Sequence, residues 1–143
     1  MTNDIRNVLA TCVADPPDDL VALYSSPLPA NPELGIKILA LGDAIKYSRA
    51  IHERTLLGKS MGLFVLDDAN DSNPFCYVTR GPAKSCILHL YHDGDTAIEY
   101  SSLAAFLTAL EPLSTRVCSS TICLAKIADR KSIRTACATI FPN

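Results

Sequence analysis

The stretch from Met61 to Leu107 constrains the fold most. It reads as four strand-like runs, each closed by turn residues, followed by a short apolar helix pattern. The runs are Gly62–Leu66, Phe75–Thr79, Cys86–His92 and a return through Ile98 and Tyr100. Short segments rich in Val, Ile, Phe and Tyr, bounded by Gly, Pro, Asn and Asp, favour strands. The connections are too short for crossover helices, so neighbouring runs must pair antiparallel. In the first run Phe64 and Leu66 share one face and Leu63 and Val65 the other. Both faces are apolar, which predicts a central strand. His92-Asp-Gly-Asp95 is the strongest hairpin signal, since Asp-Gly readily takes positive φ.

The flanking segments supply helices. Ile5, Val8, Leu9, Cys12 and Val13 form one helical stripe, stopped by Pro16 and Pro17. Asp18 and Asp19 suit the positive start of a second helix, with Leu20, Leu23 and Tyr24 on its apolar side. Ser25–Pro32 holds three prolines and reads as loop. Ile36–Leu41 reads as a strand, and Asp43 as the cap of a helix running to about Arg54. Gly58 and Gly62 bracket a turn into the meander. Ser101 or Ser102 caps the helix holding Leu103, Phe106, Leu107 and Leu110, which Pro112 closes. Past Pro112, Ile122–Ile127 fits either a strand or a helix end, and Asp129 can cap a last helix. The expected class is α+β: an antiparallel meander flanked by helices, in one domain spanning 1–143.

Composition narrows the function. With 48% hydrophobic and 20% charged residues the chain can bury a core. A net charge of −2 gives no general case for nucleic acid or anionic membranes. Charge is unevenly spread, however. Residues 60–111 hold seven acids against Arg80 and Lys84, whereas 112–143 set Asp129 against five bases. No run reaches the roughly 18 apolar residues of a membrane span, and the acid-rich start lacks a signal-peptide core. A cytoplasmic protein is expected, with its six cysteines reduced.

The residues with catalytic or metal potential argue for little chemistry. His89 and His92 are three apart, so on one strand they leave opposite faces and do not converge on a metal. Cys76 or Cys86 could meet His89 across strands, but no local motif supports a nucleophile pair. Asp67, Asp68 and Asp71 lack the ligand order of a calcium loop. No catalytic residue, metal or cofactor is assigned. What remains is binding: Asp67, Asp68, Asp71, Asp93, Asp95 and Glu99 lie around two turns. If those turns share one end of the sheet, they make a single-signed surface for a basic partner.

Several marks in register resemble a known pattern. They are Pro17-x-Asp-Leu-x-x-Leu-Tyr24, the glycine-bracketed entry Gly58–Gly62 leading to Leu63-Phe-Val-Leu-Asp67, and Asn73-Pro-Phe-Cys-Tyr77. An apolar strand running into His92-Asp93 follows, then Ser101-Ser-Leu-x-x-Phe-Leu107. Over about 17–110 the chain resembles the SUKH superfamily, the Smi/Knr-type fold common among bacterial immunity proteins. The segment 112–143 lies outside the resemblance, as a basic extension. The resemblance implies an immunity protein that neutralises a cognate toxin by binding, with no catalysis. The acidic turns add that the toxin could be a nuclease, whose phosphate-binding cleft is basic. A non-catalytic regulatory or scaffold module of the same fold is the alternative. As monomer or homodimer, the chain is expected to bind neither nucleic acid nor membrane.

Overall fold

The computed structural model describes residues 2–67, 72–93 and 95–111. Asp68, Asp71 and everything expected of 112–143 lie outside them. The order is α1 (Thr2–Leu9), α2 (Asp18–Tyr24), β1 (Ala30–Asn31), β2 (Ile36–Lys37), α3 (Leu41–Arg54) and α4 (Leu56–Met61). Then come β3 (Leu63–Val65), β4 (Phe75–Val78), β5 (Ile87–His89), β6 (Ala97–Tyr100) and α5 (Leu103–Leu110). The class is α+β, as the sequence predicts. β1 and β2 make a small antiparallel hairpin, and β3-β4-β5-β6 form a four-stranded antiparallel meander in chain order.

Register explains how both sheet faces become core. Phe64 stands opposite Tyr77, Tyr77 opposite Ile87, and Ile87 opposite Tyr100. On this face Tyr24 from α2 meets Phe64 edge-on, and Phe106 from α5 packs against Phe75 and Tyr100. The other face carries Val65, Cys76, Leu88 and Ile98, again in register. Val65, Cys76 and Leu88 are buried. Burying such side chains is worth about 1.5–3 kcal/mol each and drives the layering.

β3 stands at the end of the strand order, not at its centre. It nevertheless has a covered edge, because α3 packs along it. Ser48 Oγ, fully buried, accepts from the Val65 N–H at 2.8 Å and donates to the Ala44 carbonyl at 2.6 Å. One turn on, His52 Nε2 lies 2.8 Å from the Leu63 carbonyl. A carbonyl only accepts, so this nitrogen carries the proton. The strand continues past α3 by a bridge between Asp67 and Ile38. Two helix side chains and one bridge thus replace a neighbouring strand, which is why β3 is apolar on both faces while lying at an edge.

Four expectations are corrected in detail. The strand expected over Ile36–Leu41 is only Ile36–Lys37, and Ala40 rather than Asp43 occupies the cap position of α3. Asp43 sits in the first turn, where its charge still favours the helix start. Gly58 and Gly62 bracket a helix rather than a turn: Thr55 Oγ1 caps α4 by accepting from the Gly58 N–H, and Gly62 ends it at φ 59°. A β-carbon at Gly58 would meet the Ile51 carbonyl at 2.6 Å, so glycine there permits close packing of α4 on α3. Val8, predicted on the apolar stripe, is 45% exposed, whereas Leu9 and Val13 are buried. The Ser102 cap holds, with Oγ accepting from the Ala105 N–H at 3.1 Å.

Two polar ties join the layers. Tyr77, fully buried, extends its hydroxyl to both carboxylate oxygens of Asp19 at 3.1 and 3.2 Å. Buried Asn31 donates to the Leu110 carbonyl at 3.0 Å and accepts from the Leu34 N–H, linking the first hairpin to the end of α5.

Candidate functional site

An up-and-down meander puts alternate connections at the same end. The β3–β4 and β5–β6 connections therefore share one end of the sheet, and the β4–β5 turn with Arg80 and Lys84 lies at the other. The condition set by the sequence for a joint acidic surface is met in topology.

Asn73 fastens the two connections together. Its Oδ1 accepts from the His92 N–H at 3.0 Å and lies 2.8 Å from His92 Nδ1. Its backbone carbonyl lies 2.9 Å from His89 Nε2. An adjacent backbone bond, Leu90 N–H to the Pro74 carbonyl at 3.0 Å, extends the seam. Both imidazoles face oxygen acceptors, so each donates through the nitrogen named. The expectation that the two histidines diverge is corrected here. β5 ends at His89, so strand alternation does not reach His92, and both rings approach the same asparagine. His89 also stacks on Phe75 at 4.1 Å and leans on Tyr91 at 4.2 Å, which holds it in place.

The acidic residues fall into distinct groups. Asp93 and Asp95 are exposed and Glu99 is half-buried. Asp67 is 4% exposed, and its Oδ1 accepts from the Phe75 N–H at 2.6 Å. Its burial is a correction to the expected site: Asp67 shapes the turn from within instead of presenting charge at the surface. Asp68 and Asp71 lie outside the described residues. The presented carboxylates are thus Asp93 and Asp95, with Glu99 beside them. The expected Asp-Gly hairpin is longer than a two-residue turn: residues 90–96 join β5 to β6, with a register shift between Ile87 and Leu88.

The thiols are placed by the same register. Cys76 pairs with Leu88, whereas Phe75 pairs with His89, so Cys76 lies on the face opposite His89. Burial foremost, and then the Asp67 charge, push its thiol well above the usual range, against thiolate formation. Cys12 is also raised, chiefly by burial and against the influence of Arg49. Cys86 is half-buried. Among the described residues, no three His, Cys, Asp or Glu side chains are grouped to hold a metal ion.

A cleft that sequence reading misses opens beside α3. Its volume is about 470 Å³. One wall is the stripe Tyr47, Ala50, Ile51 and Arg54, and the other is formed by Val65, Pro74 and Leu90. The stripe follows the i, i+3, i+4, i+7 spacing of one helix face, which is a legible signal. The opposite wall comes from three separate segments and has none.

No family model, curated protein or solved structure matches the chain. No helix among the described residues is long and apolar enough to cross a membrane.

Proposed function

We propose that this chain is an immunity protein of the SUKH type, which neutralises a cognate bacterial toxin by direct binding in the cytoplasm. The observation that carries the reading is the shared end of the sheet, where Asn73 ties the two turns and Asp93 and Asp95 stand exposed. The residues on which the family resemblance rests fall on α2, on the entry into β3, on β4 and on the start of α5. The Asn73 ties hold the described part of the tip in place, which lowers the ordering cost of binding there. Exposed like charges at its rim act mainly on association rate and on choice of partner. A toxin with a basic cleft, such as a nuclease, fits that surface, and no cofactor or catalytic group is required of this chain.

The test is co-expression with the product of the adjacent open reading frame. Wild-type protein should relieve its toxicity, and Asp93→Lys with Asp95→Lys should slow association by about tenfold at low salt. The reading fails if no neighbouring product is toxic or if the toxin kills regardless. The assignment of the acidic tip fails if the doubly reversed variant associates as fast as wild type.

A further inference from the structure

We infer that the cleft beside α3 is a binding site for a small organic anion, a carboxylate carried on an apolar body. Its volume of about 470 Å³ lies within the range of small-molecule pockets. The chemistry of the ligand follows from which polar groups in the lining are already engaged.

At the end of α3, Thr55 Oγ1 donates to the Ile51 carbonyl at 2.9 Å and accepts from the Gly58 N–H at 2.9 Å. At the base, Asp67 Oδ1 is taken by the Phe75 N–H. Three side chains differ. Among the described residues, the Arg54 guanidinium, the Tyr47 hydroxyl and the Ser72 hydroxyl have no hydrogen-bond or ion-pair partner. Arg54 and Tyr47 stand seven residues apart on one helix face, about 10 Å along the axis, and Arg54 is the charged one of the three. A guanidinium has five donors and no acceptor, so it selects a ligand that brings acceptors, best a planar carboxylate.

The remaining lining sets the body. Ala50 and Ile51 face Val65, Pro74 and Leu90 across the cleft, which suits an apolar chain or ring. The Tyr47 ring, 47% exposed at the rim, offers a stacking surface. The Asp67 charge at the base repels a second anion and sets the polarity: head group at Arg54, body inward. A cationic ligand would meet Arg54 at like sign. The cleft borders the acidic tip, sharing Pro74 and Leu90 with its seam, but the inference rests on Arg54 and Tyr47 of α3 and not on the toxin reading.

The experiment uses 4-phenylbutyrate and its cationic counterpart 4-phenylbutylamine as probes, followed by amide chemical shifts of the full chain. Phenylbutyrate should shift Ala50, Ile51, Val65 and Leu90 saturably, and the amine should not. Arg54→Gln, at an exposed position, should weaken phenylbutyrate by about tenfold or more, the worth of one charge-assisted contact. The variant's remaining spectrum should be unchanged. The inference is overturned if phenylbutyrate gives no saturable shifts into the millimolar range, if the shifts map elsewhere, if the amine binds equally well, or if Arg54→Gln binds as wild type.

Discussion

Replacing Ser48 by alanine tests how the edge of β3 is closed. The serine hydroxyl is fully buried and serves both a helix carbonyl and the Val65 N–H. Among the described residues, alanine removes the one acceptor that serves that amide, at a site with no exposed surface. A buried donor left unmet costs about 1–3 kcal/mol. The loss at the Ala44 carbonyl is smaller, because that oxygen sits in the helix ladder. Alanine returns about 0.5 kcal/mol through its better helix propensity. The net destabilisation should be about 1–2 kcal/mol, or roughly 3–6 °C in Tm for a chain of this size. Chemical denaturation gives the free energy, and native-state hydrogen exchange should show faster exchange at Val65. Ser60→Ala is the control: that hydroxyl is exposed and, among the described residues, bonds only the Leu57 carbonyl, so its effect should stay within about 0.5 kcal/mol. If Ser48→Ala matches wild type in stability and in Val65 protection, the helix does not close this edge in the way described.

Two tyrosines lead to opposite expectations. Burial pushes the Tyr77 phenol up to about 12, with the Asp19 charge adding and the Ser85 side chain opposing. Its ionisation is thus harder in the folded chain than in the unfolded one. That contribution to stability is whole below about pH 10 and drains as pH rises towards 12. The loss should reach roughly 1–2 kcal/mol after discounting for solvent at exposed Asp19. Tyr77→Phe should cost about 1–2 kcal/mol at neutral pH and flatten the alkaline decline; denaturation curves from pH 8 to 12 that superpose for both proteins would refute this. Among the described residues, the buried Tyr24 hydroxyl has no hydrogen-bond partner, and burial raises its phenol strongly. Tyr24→Phe should therefore keep or raise stability, by up to about 1 kcal/mol, as read by urea denaturation. A loss beyond about 1 kcal/mol would show that the hydroxyl has a partner.

Local signals carried much of the fold. Ser102 before an apolar run, the paired aspartates opening α2 and the four short apolar runs were each legible, because caps and alternation act within a few residues. Misreadings arose where a distant contact decided the outcome. Gly58 looked like a turn residue because sequence does not show that its missing side chain makes room for Ile51. Leu63–Val65 looked central because a helix edge with Ser48 and His52 satisfies backbone groups as a strand would. Ser48 did carry a hint, as a polar residue among Ala44, Ile45 and Ile51 on the buried side of its helix. The candidate site was legible in composition but not in geometry. Six acids around two turns can be counted, whereas the burial of Asp67 depends on the Phe75 amide, and Asn73 gives no sign in sequence of holding two histidines.

The placement of Arg80 and Lys84 has a consequence for how partners arrive. Both are exposed at the end of the sheet remote from Asp93 and Asp95, and Arg80 is held by the Lys59 carbonyl at 2.8 Å. These opposite charges at two ends contribute a dipole component along the strands. In the field of a basic surface such a molecule feels a torque as well as a pull, and it turns its acidic end forward before contact. At physiological ionic strength charges are screened beyond about 8 Å, so the alignment acts only in the last nanometre of approach. For the basic partner proposed above, it would raise the fraction of collisions that meet the tip first.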